Sequence, residues 1–433
     1  MDIQAFRGWR YDLGRVGALS DVVAPPYDVI DAAMQDALYA RHPHNVIRLD
    51  LNKPEPADND QQNRYTRAAR LLKDWQHEGI LREEGEPAIY VYHQAFKVEG
   101  KEHTRRGVLA RVRLERFGEG RIYAHEETMP GPKADRLSLM RATGMNLSPI
   151  FGLYPDPANA VQNQLADAVR RTLPLEAVDH LGTVSRLWPI TDQKLIRETK
   201  SLLYPQPVFI ADGHHRYETA LRYRDELHGA GGAGDPQAPA NFTLMMLVGM
   251  SDPGLLILPT HRLVSGIPDV TADRLKGLLE AHFDVEVVGH GPKAACDAWD
   301  LIETAGEQSM LGFGTVADDA WLTARFRTPP IMDALAADHS PAWRGLAVSI
   351  LHVLVLNRIV RDKLGGEPTC KYVHLLEEAT AAVAAKECKL AVLVPPVTMS
   401  HVEQIAGNLE KMPPKSTYFY PKLLTGLVFN PLR

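Results

Sequence analysis

Cysteine is scarce in this chain: three residues in 433, Cys296, Cys370 and Cys388, far apart and in no CxxC spacing. That excludes a disulfide framework or a zinc module as the organising device and fits buried, reduced thiols. Long hydrophobic runs are lacking too. The longest, Leu346 to Leu356, is interrupted by Ser349 and His352 and is too short to span a bilayer. The opening stretch MDIQAFRGWRYD has neither the apolar core of a signal peptide nor the amphipathic Arg/Ser character of a transit peptide, so a cytoplasmic location is expected. No long basic run occurs and the net charge is −6, so no global field recruits nucleic acid. Also missing are GxxxxGK followed by Ser or Thr, a protein-kinase catalytic loop, GxSxG and HExxH.

What remains has the composition of an ordinary globular protein, 45% apolar and 24% charged, long enough for two domains. Its most informative stretch is Pro207 to Arg224, PVFIADGHHRYETALRYR. Val208 to Ala211 reads as a buried strand, Asp212-Gly213 as a tight turn, and the following residues as a helix with Tyr217, Ala220 and Leu221 at helical spacing. A helix beginning there aims N–H groups and a positive dipole end at the turn. His214, His215 and Arg216 add donors at the same place, and Arg grips phosphate bidentately. The stretch is an anion site in outline. Neighbouring histidines diverge on a helix, which argues against one closed metal site, although His214 and Glu218 stand four apart on one face and leave a metal open.

A second dense stretch runs from Ile122 to Tyr154. His125, Glu126, Glu127 and Thr128 follow a strand, Met129-Pro-Gly-Pro132 forces an extended loop, and Lys133 stands just before a helix that carries Arg136. A lysine there is placed for a phosphate, and Asn146-Leu-Ser148 before the strand 150–154 is placed to close the same pocket. Near the start, VVAPPYDVI (22–30) reads as a strand halted at a double proline, with Asp28 at its edge as a base, a metal ligand or part of a rigid turn. His44 to Leu51 alternates like another strand, and Arg64 to Leu81 like an amphipathic helix ending near Gly79. Two neighbouring antiparallel strands are expected at 87–96 and 106–116, with Arg105, Arg106, Arg111, Arg113 and Arg116 as a solvated face. Further helices are expected at 157–171, 193–203, 270–282, 293–306 and, longest of all, 343–364.

The Gly/Ala/Pro-rich stretch 229–240 reads as a linker between an N-terminal domain, 1–228, and a C-terminal α/β domain, 241–433. Its Gly229-x-Gly231-x-x-Gly234 is a decoy for a dinucleotide fingerprint, since it follows a helix rather than a strand. The tail KMPPKSTYFYPKLLTGLVF is rich in aromatics and is expected to dock, with Lys415 and Lys422 toward the pocket.

Taken together, APPYDVI (24–30), HEET…GPK…RL (125–137), NLSPIFGLY (146–154), ADGHHRYETAL (211–221) and PPKSTYFYPKL (413–423) resemble a bacterial and archaeal family, domain of unknown function 1015, over nearly the whole chain. DGHHR also resembles the signature turn of the ParB/sulfiredoxin superfamily, which includes a free-serine kinase. The resemblance implies an α/β (α+β) fold, a ParB/sulfiredoxin-like mixed-sheet core with large insertions, and nucleotide phosphates at the helix start, cradled by Gly213, His214, His215 and Arg216. The expectation is therefore an ATP-dependent small-molecule kinase, with L-serine the best acceptor, ATP or ADP bound, and Mg2+ as helper. Lys133 and Arg136 join the phosphate site, Glu126 or Asp28 is the base with His125 beside it, Asp212 orients, and Asp212 and Glu218 are the metal candidates. A metal-dependent phosphatase or hydrolase using His214, His215, His125 and Glu126 is the alternative, and a ParB-like nucleic-acid binder the second. A homodimer is left open.

Overall fold

The computed structural model describes residues 1–126, 128, 130–229 and 234–433, so part of the expected linker lies outside the described residues, as do Glu127 and Met129. The chain has the expected mixed α/β architecture and divides into two units. The first holds Met1–Ala124, Thr128–Leu256 and Pro421–Arg433, the second His125–Glu127 and Ile257–Tyr420. The expected divider at 229–240 thus falls inside the first unit, because the strand after it joins that unit's sheet.

The principal elements of the first unit are, in chain order, β1 (Ile3–Gln4), α1 (Ala32–Arg41), α2 (Ile47–Asp50), α3 (Arg64–His77), β2 (Ile89–Val98), β3 (Lys101–Arg113), β4 (Ile122–Ala124), α4 (Pro130–Thr143), β5 (Ile150–Tyr154), α5 (Ala160–Arg171), β6 (Leu175–Val178), β7 (Val184–Ile190), α6 (Gln193–Leu203), β8 (Val208–Asp212), α7 (His214–His228) and β9 (Phe242–Gly249). Among the described residues the strands form one mixed sheet in the order β4–β8–β5–β9–β3–β2–β7–β6, with β1 on β3. The β8–β4 and β9–β5 pairings are parallel and the others antiparallel. Central strands such as β9, buried along all eight residues, read as continuous apolar runs because helices and loops cover both faces.

Local rules account for the helix ends. Asn63 caps α3 by accepting from the N–H groups of Tyr65 and Thr66, Ala68, Leu72 and Trp75 form its buried stripe, and Gly79 turns the chain at φ 70°. The strand expected at 22–30 is absent. Leu19–Val22 is one helical turn, Ala24 makes an isolated bridge to Thr425, and Tyr27–Val29 is a 3-10 turn. Pro25 and Pro26 offer no N–H and fix φ, so no ladder can continue through them. The strand expected at 44–51 is instead the short helix α2. Asn45 starts it, its Oδ1 accepting from Ile47 N at 3.0 Å while Nδ2 donates to the carbonyls of Asp21 and Val23. Arg48 and Asp50 between Ile47, Leu49 and Leu51 mimic the alternation of a strand, and a helix of four residues is too short to show a competing helical period.

The supposed solvated arginine face is also wrong in two places. Arg105 is fully buried and Arg111 nearly so. Arg105 donates to the carbonyl of Pro421 at 2.5 Å and to Gln94, and Arg111 donates to Asn430 Oδ1 and the Pro431 carbonyl. Both arginines hold the segment 421–431, whose carbonyls replace the water that a buried guanidinium has lost.

The second unit is built on an antiparallel sheet of β10 (His261–Ser265), β11 (Phe283–His290), β12 (Met310–Thr315), β13 (Ala320–Phe326), β14 (Thr369–Val373) and β15 (Leu390–Leu393), in the order β11–β13–β12–β15–β10–β14. β12 and β13 pair as an antiparallel hairpin. The long helix expected at 343–364 is broken into two short turns followed by Ile350–Leu364, which winds with the wider π spacing and closes with Gly365 N–H on the Val360 carbonyl. Of the three thiols only Cys388 is buried; Cys370 is half-buried and Cys296 exposed, so the expectation of three buried thiols fails for two. No helix among the described residues is long and apolar enough to cross a membrane.

Burial drives His93 of the first unit to about 4 and His261 and His352 of the second to about 3 and about 4, from an ordinary 6.5. The unfolded chain therefore takes up these protons first. Stability is full above 6.5 and falls as the pH drops toward 4, by about 1.4 kcal/mol per pH unit for each histidine. Urea midpoints measured at about pH 7.5 and about pH 5 check this. The second unit, with two such histidines, loses more.

Candidate functional site

The end of β8 and the start of α7 form the turn expected from the sequence. Gly213 sits between them at φ 89°, a left-handed conformation, and no side chain caps the helix. The helix is locked in place by Tyr217, which is fully buried. Its hydroxyl donates to the Glu115 carbonyl at 2.8 Å and accepts from Glu115 N at 2.9 Å, so the first turn of α7 is pinned to the end of β3. A Cβ added at Gly213 would lie 3.0 Å from the Nε and Nη2 of Arg216. Gly213→Ala is therefore expected to destabilise the first unit by about 2 kcal/mol through left-handed strain and displacement of Arg216. A urea titration that shows no loss contradicts this.

Asp212 is the hub of the turn. Its Oδ2 accepts from Arg216 Nη2 at 2.8 Å and its Oδ1 from Lys422 Nζ at 2.8 Å. Burial pushes its carboxyl up, but Lys422 and then Arg216 outweigh burial and hold it well below the usual carboxylate range. Two cations surround one carboxylate, so the helix start keeps a net positive charge that favours an anion. Arg216, nearly buried, also donates to the Pro149 carbonyl in the 146–150 stretch. Its guanidinium is thus an internal strut between β8, β5 and α7 rather than an open fork. Lys422 is positioned from behind, since Gln94 donates to its carbonyl at 3.0 Å and Arg105 to that of Pro421. His214 is buried and His215 half-buried at the same helix start.

Two further groups meet this turn from elsewhere in the unit. Arg136 of α4, 6% exposed, bonds Asp50 at 3.0 Å and Asp135 at 2.6 Å, and its guanidinium carbon lies 4.1 Å from the Tyr27 ring centre. Burial raises the Tyr27 hydroxyl to about 12, and the charges it feels are Asp28, Arg216, Arg136 and Asp50. The PPYD loop and the DGHH turn therefore share one electrostatic environment. Asp28 is exposed on its 3-10 turn and makes no hydrogen bond or ion pair among the described residues.

Lys133 meets Glu218 one turn along α7 rather than at the helix start. Its Nζ donates to Glu218 Oε2 at 2.9 Å and to Thr128 Oγ1 at 3.0 Å, and Thr128 donates to the same carboxylate oxygen at 2.8 Å. This triad borders a groove of about 710 Å³ flanked by Arg116, Arg222, Asp225 and Glu226.

His125 and Glu126 belong to the second unit, where they organise residues 412–417. The His125 carbonyl accepts from Met412 N at 2.7 Å, its Nε2 pairs with Thr417 Oγ1 at 3.0 Å, and Glu126 Oε1 accepts from Lys415 N at 3.1 Å. Buried Arg262 donates to the Lys415 carbonyl at 3.0 Å. Lys415 itself adopts φ 57°, a left-handed backbone held from both sides.

Of the nominated residues the first unit thus assembles Asp28, Asp212, Gly213, His214, His215, Arg216 and Arg136, with Lys133 and Glu218 on the flank of α7. Sequence reasoning missed Asp50, hidden by the false strand, and Tyr27 as the stacking partner of Arg136. The available signal was a single aromatic, Tyr27, among the acidic residues Asp21, Asp28 and Asp31 around Pro25-Pro26. Asp212 and Glu218 do not fit a resident magnesium as they stand, since each carboxylate is already bonded to a cation. Among the described residues no group of three or more His, Cys, Asp and Glu could hold a metal ion.

No functionally curated protein matches the chain. Solved structures show distant similarity. A free serine kinase in complex with AMP shares 11% identity over 69% of this chain and 84% of its own, with a TM-score of 0.32. A conserved hypothetical protein from Pyrococcus furiosus shares 13% over 70% and 89% (TM-score 0.33), and SbnI from Staphylococcus aureus 10% over 73% and 85% (TM-score 0.33). The match at the level of families is broad, covering residues 3–349, and by it the chain belongs to the family described as protein of unknown function DUF1015.

Proposed function

We propose that this chain is an ATP-dependent small-molecule kinase that phosphorylates a hydroxyl of a small metabolite, with L-serine the favoured acceptor. One observation carries the reading: of the four carboxylates nominated as base or metal ligand, only Asp28 is exposed and, among the described residues, without a hydrogen-bond or ion-pair partner, and it follows Tyr27, whose ring stacks on the Arg136 guanidinium. A general base needs a carboxylate that is free to take a proton. Asp212 is fully engaged by Arg216 and Lys422, which suits an orienter, and Glu126 already accepts from Lys415 N–H.

The donor is the magnesium complex of ATP, bound as substrate. The helix start of α7 and the net positive charge around Asp212 receive its phosphates. Asp28 takes the proton of the acceptor hydroxyl, whose oxygen forms a bond to the γ-phosphorus as the bond to the bridging oxygen breaks. The products are the phosphate ester and ADP, and Asp28 returns its proton to solvent. The choice of serine rests on the resemblance of the DGHHR turn to that of a free-serine kinase. Purified protein incubated with magnesium ATP and a panel of hydroxy amino acids, followed by mass spectrometry, tests the reading. O-phosphoserine and ADP in equal amounts are expected. No phosphorylated product from any acceptor, together with no thermal shift on adding nucleotide, ends it.

A further inference from the structure

We propose that Asp50 is a positioning residue for the turn that carries Asp28, acting through the guanidinium of Arg136 and the ring of Tyr27. The inference rests on the reading of Asp28 as base. Asp50 closes α2 and is 4% exposed. Its Oδ1 accepts from Arg136 Nη1 at 3.0 Å, while its Oδ2 is buried without a hydrogen-bond partner among the described residues. That carboxylate borders a small cavity of about 30 Å³ whose lining includes Arg136, Arg216, Asn146 and Ser148. The other edge of the Arg136 guanidinium is fixed by Asp135, reached from Nε at 2.8 Å and Nη2 at 2.6 Å. Asp135 is itself held by Arg64 Nη2 at 2.5 Å and Tyr65 OH at 2.7 Å.

Two carboxylates on opposite edges leave a planar cation one orientation, and its face is what Tyr27 meets. A buried pair with one oxygen unbonded is a poor way to add stability, because an apolar replacement of like volume is often as good or better. What the pair does supply is a fixed platform beneath a turn whose own bonds are Val29 N–H to the Pro26 carbonyl and Ile30 N–H to the Tyr27 carbonyl. Tyr27 is bound to that platform, and Asp28 is the next residue.

The groups facing Asp50 are Arg136 and Asp135 of α4, Arg216 of α7, and Asp28 with Tyr27 on the turn. Burial raises the Asp50 carboxyl, Arg136 and Arg216 oppose it, and Asp135 and Asp28 raise it further.

Asp50→Asn and Arg136→Lys test the proposal in the full-length protein, the second keeping the charge while removing the flat face that stacks on Tyr27. Hydrogen exchange of the amides of residues 27–31 is expected to quicken by about tenfold or more in both, with 208–212 unchanged. With magnesium ATP and the acceptor, kcat is expected to fall by about 10- to 100-fold with KM for the nucleotide within about threefold. Unchanged exchange over 27–31 in either folded variant overturns the proposal, whatever the kinetics show. A loosened turn in a protein that never phosphorylates any acceptor upholds the platform and sinks the kinase reading instead.

Discussion

Asp28→Asn is expected to lower phosphoryl transfer by about 10²- to 10⁴-fold, the usual contribution of a general base, while leaving the fold intact. The carboxylate is exposed and bonds to nothing among the described residues, so replacing it with an isosteric amide removes the proton acceptor and no structural partner. Surface substitutions of that kind change stability by about 0.5 kcal/mol or less. The measurement is a steady-state assay alongside urea denaturation of the same preparation. KM for magnesium ATP is expected to stay close to that of the natural chain, because the phosphate site proposed at the α7 start does not include Asp28. Full activity in the variant would remove Asp28 from the mechanism and return the base to an open question among the paired carboxylates.

The second large effect is on stability. Asp212→Ala leaves Arg216 and Lys422, whose side chains are 9% and 15% exposed, without their shared counter-charge. Breaking a buried pair from one side costs about 3–5 kcal/mol, because the stranded cations keep their desolvation penalty. The urea transition of the first unit is expected to move down accordingly. The pH dependence gives an independent check. The Asp212 carboxyl lies below its ordinary value in the folded chain, so its contribution is present above the unfolded pKa of 3.8 and is lost as the pH falls below it. The natural chain should therefore converge on the variant in strong acid. A constant difference between them down to about pH 2 would mean that Asp212 contributes by packing rather than by charge.

Legibility from sequence followed a physical divide. The strand, glycine turn and helix at 208–228 were readable because three independent signals coincide there: a β-branched run, a residue that tolerates positive φ, and a helical apolar period. The docking of Lys422 was readable in outline, since the density of aromatics around it suited a buried tail. Asp50 was not readable, because Arg48 and Asp50 alternate with Ile47, Leu49 and Leu51 as in a strand, and one helical turn is too short to show its own period. Nor were the buried arginines, Arg105 and Arg111. Their partners are backbone carbonyls more than three hundred residues away, and a carbonyl has no letter in the sequence. His125 and Glu126 looked catalytic for the opposite reason: crowded polar side chains announce a role, but do not distinguish holding a loop from handling a substrate.

The placement of Lys422 has a consequence for the birth of the protein. On the ribosome, β8 and α7 emerge some two hundred residues before the lysine that neutralises Asp212. Until then the hub carboxylate lacks one of its two cations, and Arg105 and Arg111 on β3 lack the carbonyls of Pro421 and Pro431. The site is therefore completed late in synthesis, and a nascent protein cut short before residue 421 has most of the sheet but not the lysine that closes the clasp.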